Sequence, residues 1–98
     1  MSEHSVGICL MGGAIADAAV ELVRDEQPDA RISFRGCYYK IERDELLEFD
    51  MEKLGELLGH ELTIEMFLVA MSTYYGRMDR SGDRIQIFAD IQPGRFRA

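Results

Sequence analysis

The sequence has few of the residues from which most catalytic and metal sites are built. It contains two histidines, two cysteines and no tryptophan among 98 residues. Cys9 and Cys37 belong to no CxxC pair, and no HExxH motif occurs, so zinc and iron–sulfur ligation have no support. Because two cysteines cannot form a disulfide framework, we expect a reduced, cytoplasmic protein.

Positive charge is also scarce. Eleven Lys and Arg residues stand against 18 Asp and Glu residues, which gives a net charge of −7. Binding to nucleic-acid phosphates or to an anionic membrane surface therefore has no electrostatic support from the chain as a whole. Seven of the acids lie in residues 42–56. We interpret them as a solvated face; the alternative is that they steer the protein toward a basic surface of a partner.

Long hydrophobic runs are absent. No stretch approaches the roughly 18 apolar residues that span a bilayer, and residues 1–5 lack the basic and apolar parts of a signal peptide. The composition, 47% hydrophobic and 30% charged, is that of a globular protein. We predict one domain over residues 1–98 with a thin core, and a flexible tail at residues 91–98.

Short periodic segments fill the first half of the chain. Alternating apolar residues predict strands at residues 6–10 and 31–35, and the aromatic run at 37–41 predicts a third. Between the first two strands, apolar residues at helical spacing predict a helix that ends near Glu26. Alternation at residues 47–49 predicts a further short strand.

Capping residues organise the second half. Asp50 is a favourable N-cap for a short helix, and Gly59 stands where a glycine would end it. Thr63 can cap another helix, whose signal fades over residues 72–75. A turn at residues 80–83 predicts a final hairpin. This order predicts an α+β fold with one mostly antiparallel sheet and helices packed on it.

The sequence contains no recognisable catalytic motif. His4 and His60 lie near no serine or cysteine in a recognisable nucleophile pattern. Gly12 and Gly13 precede a predicted helix and could cradle a phosphate. They lack the remaining residues of a dinucleotide fingerprint or a P-loop, so we interpret them as a strand-to-helix turn. No segment carries a specific catalytic signal.

Residues 67–78, with the sequence FLVAMSTYYGRM, carry the most informative pattern. This segment resembles one in the effector, or coupling, proteins of soluble multicomponent diiron monooxygenases, which act on substrates such as methane, phenol, toluene and alkenes. There an apolar helical run leads to a Ser/Thr-rich stretch, an apolar residue and Gly-Arg. Residues 50–59 are similar to that family's short helix ending in Leu-Gly, and residues 82–87 to its last hairpin strand. Residues 5–7 resemble its opening strand.

The resemblance implies a protein that performs no reaction and holds no metal, flavin or haem. It implies direct binding to the hydroxylase that houses the diiron centre, and a functional link to reductase or ferredoxin components. Binding would tune the active site, control access of substrate and oxygen, and couple electron transfer to oxygenation. Neither nucleic acid nor membrane is implied as a partner. Aromatic and alkene substrates are both compatible, because specificity lies in the hydroxylase.

The resemblance also indicates which residues contact the hydroxylase. Small hydroxyl side chains can hydrogen-bond to partner backbone, and an arginine can form a bidentate pair with a carboxylate. Tyr74 replaces the smaller residue that is more common in the family, and the sequence leaves open whether Tyr74 or Tyr75 faces the partner. The candidate interface residues are Ser72, Thr73, Tyr74, Tyr75, Gly76 and Arg77. The alternative for this stretch is a purely structural one, in which the end of a helix leads into a strand.

Two other classes of function compete with this interpretation. The first is a small-molecule-sensing regulatory domain of ferredoxin-like or ACT-like form, in which the strand–Gly-Gly–helix opening would hold the ligand. The second is a small enzyme, which has less support because no nucleophile, base or metal cluster is recognisable.

Overall fold

The computed structural model describes residues 5–89, in which seven strands and three helices follow one another. The predicted tail at residues 91–98 lies outside this part of the chain. No helix within residues 5–89 is both long and apolar enough to cross a membrane. The elements are β1 (Ser5–Met11), α1 (Ala14–Glu26), β2 (Arg31–Phe34), β3 (Tyr38–Asp44), β4 (Leu46–Asp50), α2 (Met51–Leu58), α3 (Ile64–Ala70), β5 (Met71–Tyr75), β6 (Arg77–Ser81) and β7 (Arg84–Phe88).

The strands form two antiparallel sheets. The first sheet has the order β2-β3-β1-β5 and the second has the order β4-β7-β6. The predicted α+β class and antiparallel pairing are confirmed, but the strands divide between two sheets and do not form the single sheet predicted from the sequence. The second sheet forms because β4 pairs with β7 rather than continuing the β3 ladder.

Alternation along β1 creates the centre of the core. Val6, Ile8 and Leu10 are fully buried on one side of the strand, which we call the core face of the first sheet. The apolar stripe of α1 and the inward residues of the second sheet are buried with them in one cluster. Each such side chain contributes about 1.5–3 kcal/mol when it is removed from water. The radius of gyration, 13.2 Å, is that of a compact chain of this length.

The predicted limits of α2 are confirmed. The Asp50 carboxylate accepts hydrogen bonds from the backbone N–H groups of Glu52 and Lys53, at 2.9 and 3.4 Å. At the other end Gly59 adopts a left-handed conformation with φ of 84°. The Met51 amide also donates to the Asp83 carbonyl at 2.7 Å, which fixes the start of α2 to the turn of the β6–β7 hairpin.

Two local predictions need correction. The helix capped by Thr63 ends at Ala70, and the next residues form β5 instead of a fading helix, so the local structure is the alternative in which a helix end leads into a strand. The cause is long-range, since β1 offers this segment a hydrogen-bonding partner. Strand β3 begins at Tyr38 rather than Cys37, because the Cys37 amide donates to the Arg35 carbonyl in a tight turn.

Candidate docking surface

Residues 72–77, which we call the docking segment, run along one edge of each sheet. β5 is the last strand of the first sheet and β6 the last strand of the second, and a single residue, Gly76, joins them. All six residues of the segment are exposed. The structure therefore brings the predicted interface residues together on one continuous stretch of surface.

A β-bulge shapes the start of the docking segment. Cys9 pairs with Thr73 and Leu10 pairs with Met71, so Ser72 is the extra residue of β5. The Ser72 hydroxyl donates to the Cys9 carbonyl at a distance of 3.3 Å. Bulges bend a strand and re-aim its side chains. The bulge thus sets the direction in which the exposed Thr73 side chain is presented.

Tyr75 lies across the outer face of the first sheet, opposite the core face. It pairs with Gly7, and its ring occupies the space where a side chain at position 7 would stand: a Cβ there would lie 2.6 Å from the ring. The Tyr75 hydroxyl donates to the Glu42 carboxylate on β3. Burial, followed by this hydrogen bond, raises the pKa of Tyr75. Tyr75 therefore ties the edge strand β5 to β3 across β1.

Tyr74 projects to the other side of β5. It pairs with Ile8, and directly paired residues in an antiparallel ladder project from the same face. Ile8 is fully buried, whereas the Tyr74 side chain is 41% exposed. Tyr74 thus starts on the core face at the sheet edge and extends into solvent, while the Tyr75 hydroxyl already has an internal partner.

Gly76 occupies a point where a side chain has no room. Its φ of +114° is one that residues with a Cβ rarely adopt. A Cβ would also lie 2.8 Å from Val6 Cγ1 in the first sheet and 3.0 Å from Ile87 Cγ2 in the second. Only glycine at position 76 allows the backbone to pass this close to both sheets. Arg77 follows at once as the exposed first residue of β6.

Gly7 and Glu42 also contribute to this surface, and neither was predicted from the sequence to do so. A glycine inside a strand pattern often marks a close approach by another group, and this was the available signal for Gly7. Glu42 gave no local signal, because its partner Tyr75 lies 33 residues away in the chain.

The Gly12–Gly13 turn makes backbone hydrogen bonds within the protein. The Gly12 amide donates to the Cys37 carbonyl at 2.9 Å, and the Gly13 carbonyl accepts the Asp17 amide at 2.9 Å. This geometry fits the strand-to-helix turn that the sequence predicted, and it leaves the Gly12 amide occupied. Within residues 5–89, no three His, Cys, Asp or Glu side chains are grouped closely enough to share a metal ion.

Sequence comparison places these features in a family. The model of the MmoB/DmpM family matches residues 4–88. The chain is 26% identical over 88 residues to the alkene monooxygenase system effector subunit of Xanthobacter autotrophicus, covering 88% of this chain and 87% of that protein. It is 29% identical over 86 residues to the propane 2-monooxygenase effector component of Mycolicibacterium smegmatis, covering 88% of this chain and 75% of that protein.

Structural comparison finds the same fold in solved structures of regulatory proteins. One is a chain in the structure of a phenol hydroxylase–regulatory protein complex, with a TM-score of 0.77, 20% identity, and coverage of 86% of this chain and 97% of that one. Another is the soluble methane monooxygenase regulatory protein B, with a TM-score of 0.71, 23% identity, and coverage of 91% and 67%. With the family model matching nearly all of the described residues, this chain belongs to the MmoB/DmpM family.

Proposed function

We propose that this protein is a cofactor-free effector that binds the hydroxylase of a diiron hydrocarbon monooxygenase and couples electron transfer to oxygenation. Membership of the MmoB/DmpM family and the effector relatives support this function. The observation that carries it is the exposure of all six residues of the docking segment at the joined edges of the two sheets. The protein itself catalyses no step.

The docking segment offers several kinds of contact to a hydroxylase. Ser72 and Thr73 present small polar side chains at the bulge, and such hydroxyls pair with partner backbone groups. The exposed part of Tyr74 fills space that a smaller residue would leave open. Arg77 supplies a guanidinium that suits a carboxylate of the partner. Tyr75 acts mainly by positioning this strand.

The effect on the hydroxylase follows from unequal binding of its states. An effector shifts an equilibrium only by its difference in affinity for the two conformations. A difference of about 1–3 kcal/mol changes their ratio roughly 5–150-fold. By linkage, the redox state and bound substrate of the hydroxylase must alter the affinity for the effector to the same extent. The reductase or ferredoxin component then acts on a hydroxylase already biased toward productive turnover.

A titration of the reconstituted system tests this proposal. The effector is added to purified hydroxylase and reductase from the same organism, and product formed and reductant consumed are measured together. We expect the ratio of product to reductant to rise until the effector saturates the hydroxylase, and the effector alone to form no product. An unchanged ratio across a titration in which complex formation is measured directly would contradict the coupling role.

Arg77→Ala tests the contact of the docking segment. We expect it to weaken the complex by about 1–3 kcal/mol, the usual cost of leaving a buried hydrogen-bonding group of the partner unsatisfied. Arg80→Ala is the matched control, because it removes the same charge from the same strand three residues further on. Isothermal titration calorimetry measures the affinity of each variant for the hydroxylase. If Arg77→Ala is folded and binds as tightly as the unmodified protein, Arg77 lies outside the contact.

A further inference from the structure

The segment that leads into the docking segment carries unusually little charge. Residues 62–76 contain one acid, Glu65, and no base, although 30% of the whole chain is charged. The segment is nevertheless not hidden in the core. Val69 is 84% exposed and Met66 is 40% exposed. A stretch that is both exposed and nearly uncharged is typical of the central part of a protein–protein interface.

Helix α3 carries large apolar side chains on two faces. Phe67 points inward, is fully buried, and packs its ring against Phe49 with centroids 5.1 Å apart. Met66 and Val69 are three residues apart, so they share the face that is directed to solvent, where Glu65 is the one charged residue of the helix. A surface helix normally places polar residues on this face. Core packing explains why the inward face of α3 carries apolar residues. It does not explain why apolar residues also lie on the outward face.

A shallow cavity adjoins the outward face of α3. It has a volume of about 470 Å³, and its lining includes Met11, Leu58, Met66 and Ala70. Met11 is itself an exposed large hydrophobic residue at the end of β1. Flexible methionine side chains adapt to the shape of a partner. The cavity therefore offers an apolar recess beside the exposed side chains of the helix.

We propose that these residues form the second half of the docking surface, and that an apolar segment of the hydroxylase occupies it. We call this surface the α3 patch and define it as Met11, Leu58, Met66, Val69 and Ala70. This inference rests on the proposed function. It names the chemistry of the partner surface: apolar side chains that enter the recess and cover Val69.

Continuity and size support this assignment. Ala70 ends α3 and Met71 begins β5, so the patch continues into the docking segment without an intervening loop. A stable interface takes about 20–30 residues from each partner. The six residues of the docking segment are too few to supply one alone. The α3 patch is the adjoining surface, and its apolar character suits the desolvated centre of such an interface.

Val69→Lys tests the patch with little risk to the fold, because the side chain is almost entirely in solvent. We expect the dissociation constant for the hydroxylase to rise at least tenfold while the midpoint of urea unfolding stays unchanged. Met66→Gln, which keeps the length of the side chain, should raise the dissociation constant several-fold. Leu57→Lys is the control: it adds the same charge at an exposed apolar position of α2, beside Glu21 and Asp25 instead of the recess.

The results separate this inference from the proposed function. If Val69→Lys binds as tightly as the unmodified protein while Arg77→Ala binds weakly, the α3 patch is no part of the interface and the effector function stands. If the unmodified protein does not bind the hydroxylase, the proposed effector function and the role of the α3 patch are both wrong. Sedimentation of the free protein tests a second copy as the occupant. A dimer that Val69→Lys separates, with no change in hydroxylase affinity, would overturn the inference.

Discussion

We expect Phe67→Ala to lower the free energy of unfolding by about 3–5 kcal/mol, the usual cost of removing a buried aromatic ring. Phe67 is fully buried, and its contact with the Phe49 ring joins α3 to the second sheet. A domain of this size is stable by only about 5–15 kcal/mol. The loss is therefore a large part of the total, and urea unfolding followed by circular dichroism measures it.

Val69→Ala is the matched control on the same helix. It removes apolar atoms from a side chain that is already in solvent, so we expect a change within about 0.5 kcal/mol. If Phe67→Ala does not fold, Phe67→Leu keeps most of the volume and should lower the stability measurably. Equal effects at positions 67 and 69 would show that α3 has no distinct inward face, which would contradict both the core assignment and the α3 patch.

The sequence predicts the helices where their signals are local. α2 is bounded by Asp50 and Gly59, which act on backbone groups within a few residues, and the structure confirms both. The start of α3 is confirmed for the same reason, since the Thr63 hydroxyl accepts the Met66 amide at 3.2 Å. A cap of this kind forms within its own segment, so it can be predicted without reference to the rest of the fold.

Long-range pairing accounts for what the sequence could not predict. β5 forms because β1 lies beside it, although its residues come more than sixty positions later. The contact of Tyr75 with Gly7 and Glu42 depends on the order of three strands that are distant in the chain. The pattern of residues 72–77 indicated the candidate surface, but it could not show which tyrosine was already engaged within the protein.

Gly76→Ala should lower the free energy of unfolding by about 2–6 kcal/mol, the sum of an unfavourable backbone conformation and overpacking. A methyl group at this position would overlap Val6 Cγ1, at 2.8 Å, and would press on Ile87 in the other sheet. The sheets would have to separate locally, which would displace the docking segment. We therefore also expect hydroxylase affinity to fall. Chemical unfolding and calorimetric titration measure the two effects.

Gly36→Ala separates backbone strain from steric overlap. Gly36 also has a positive φ, of 82°, but no atom of residues 5–89 outside its own chain neighbourhood lies within 4 Å of a Cβ built there. Its substitution should cost only the left-handed conformation, about 1–2 kcal/mol. The difference between the losses of stability in the two variants measures the free-energy cost of steric overlap at position 76. If the two alanines cost the same, crowding at Gly76 does not hold the edges of the sheets in line, and glycine is required there for its φ alone.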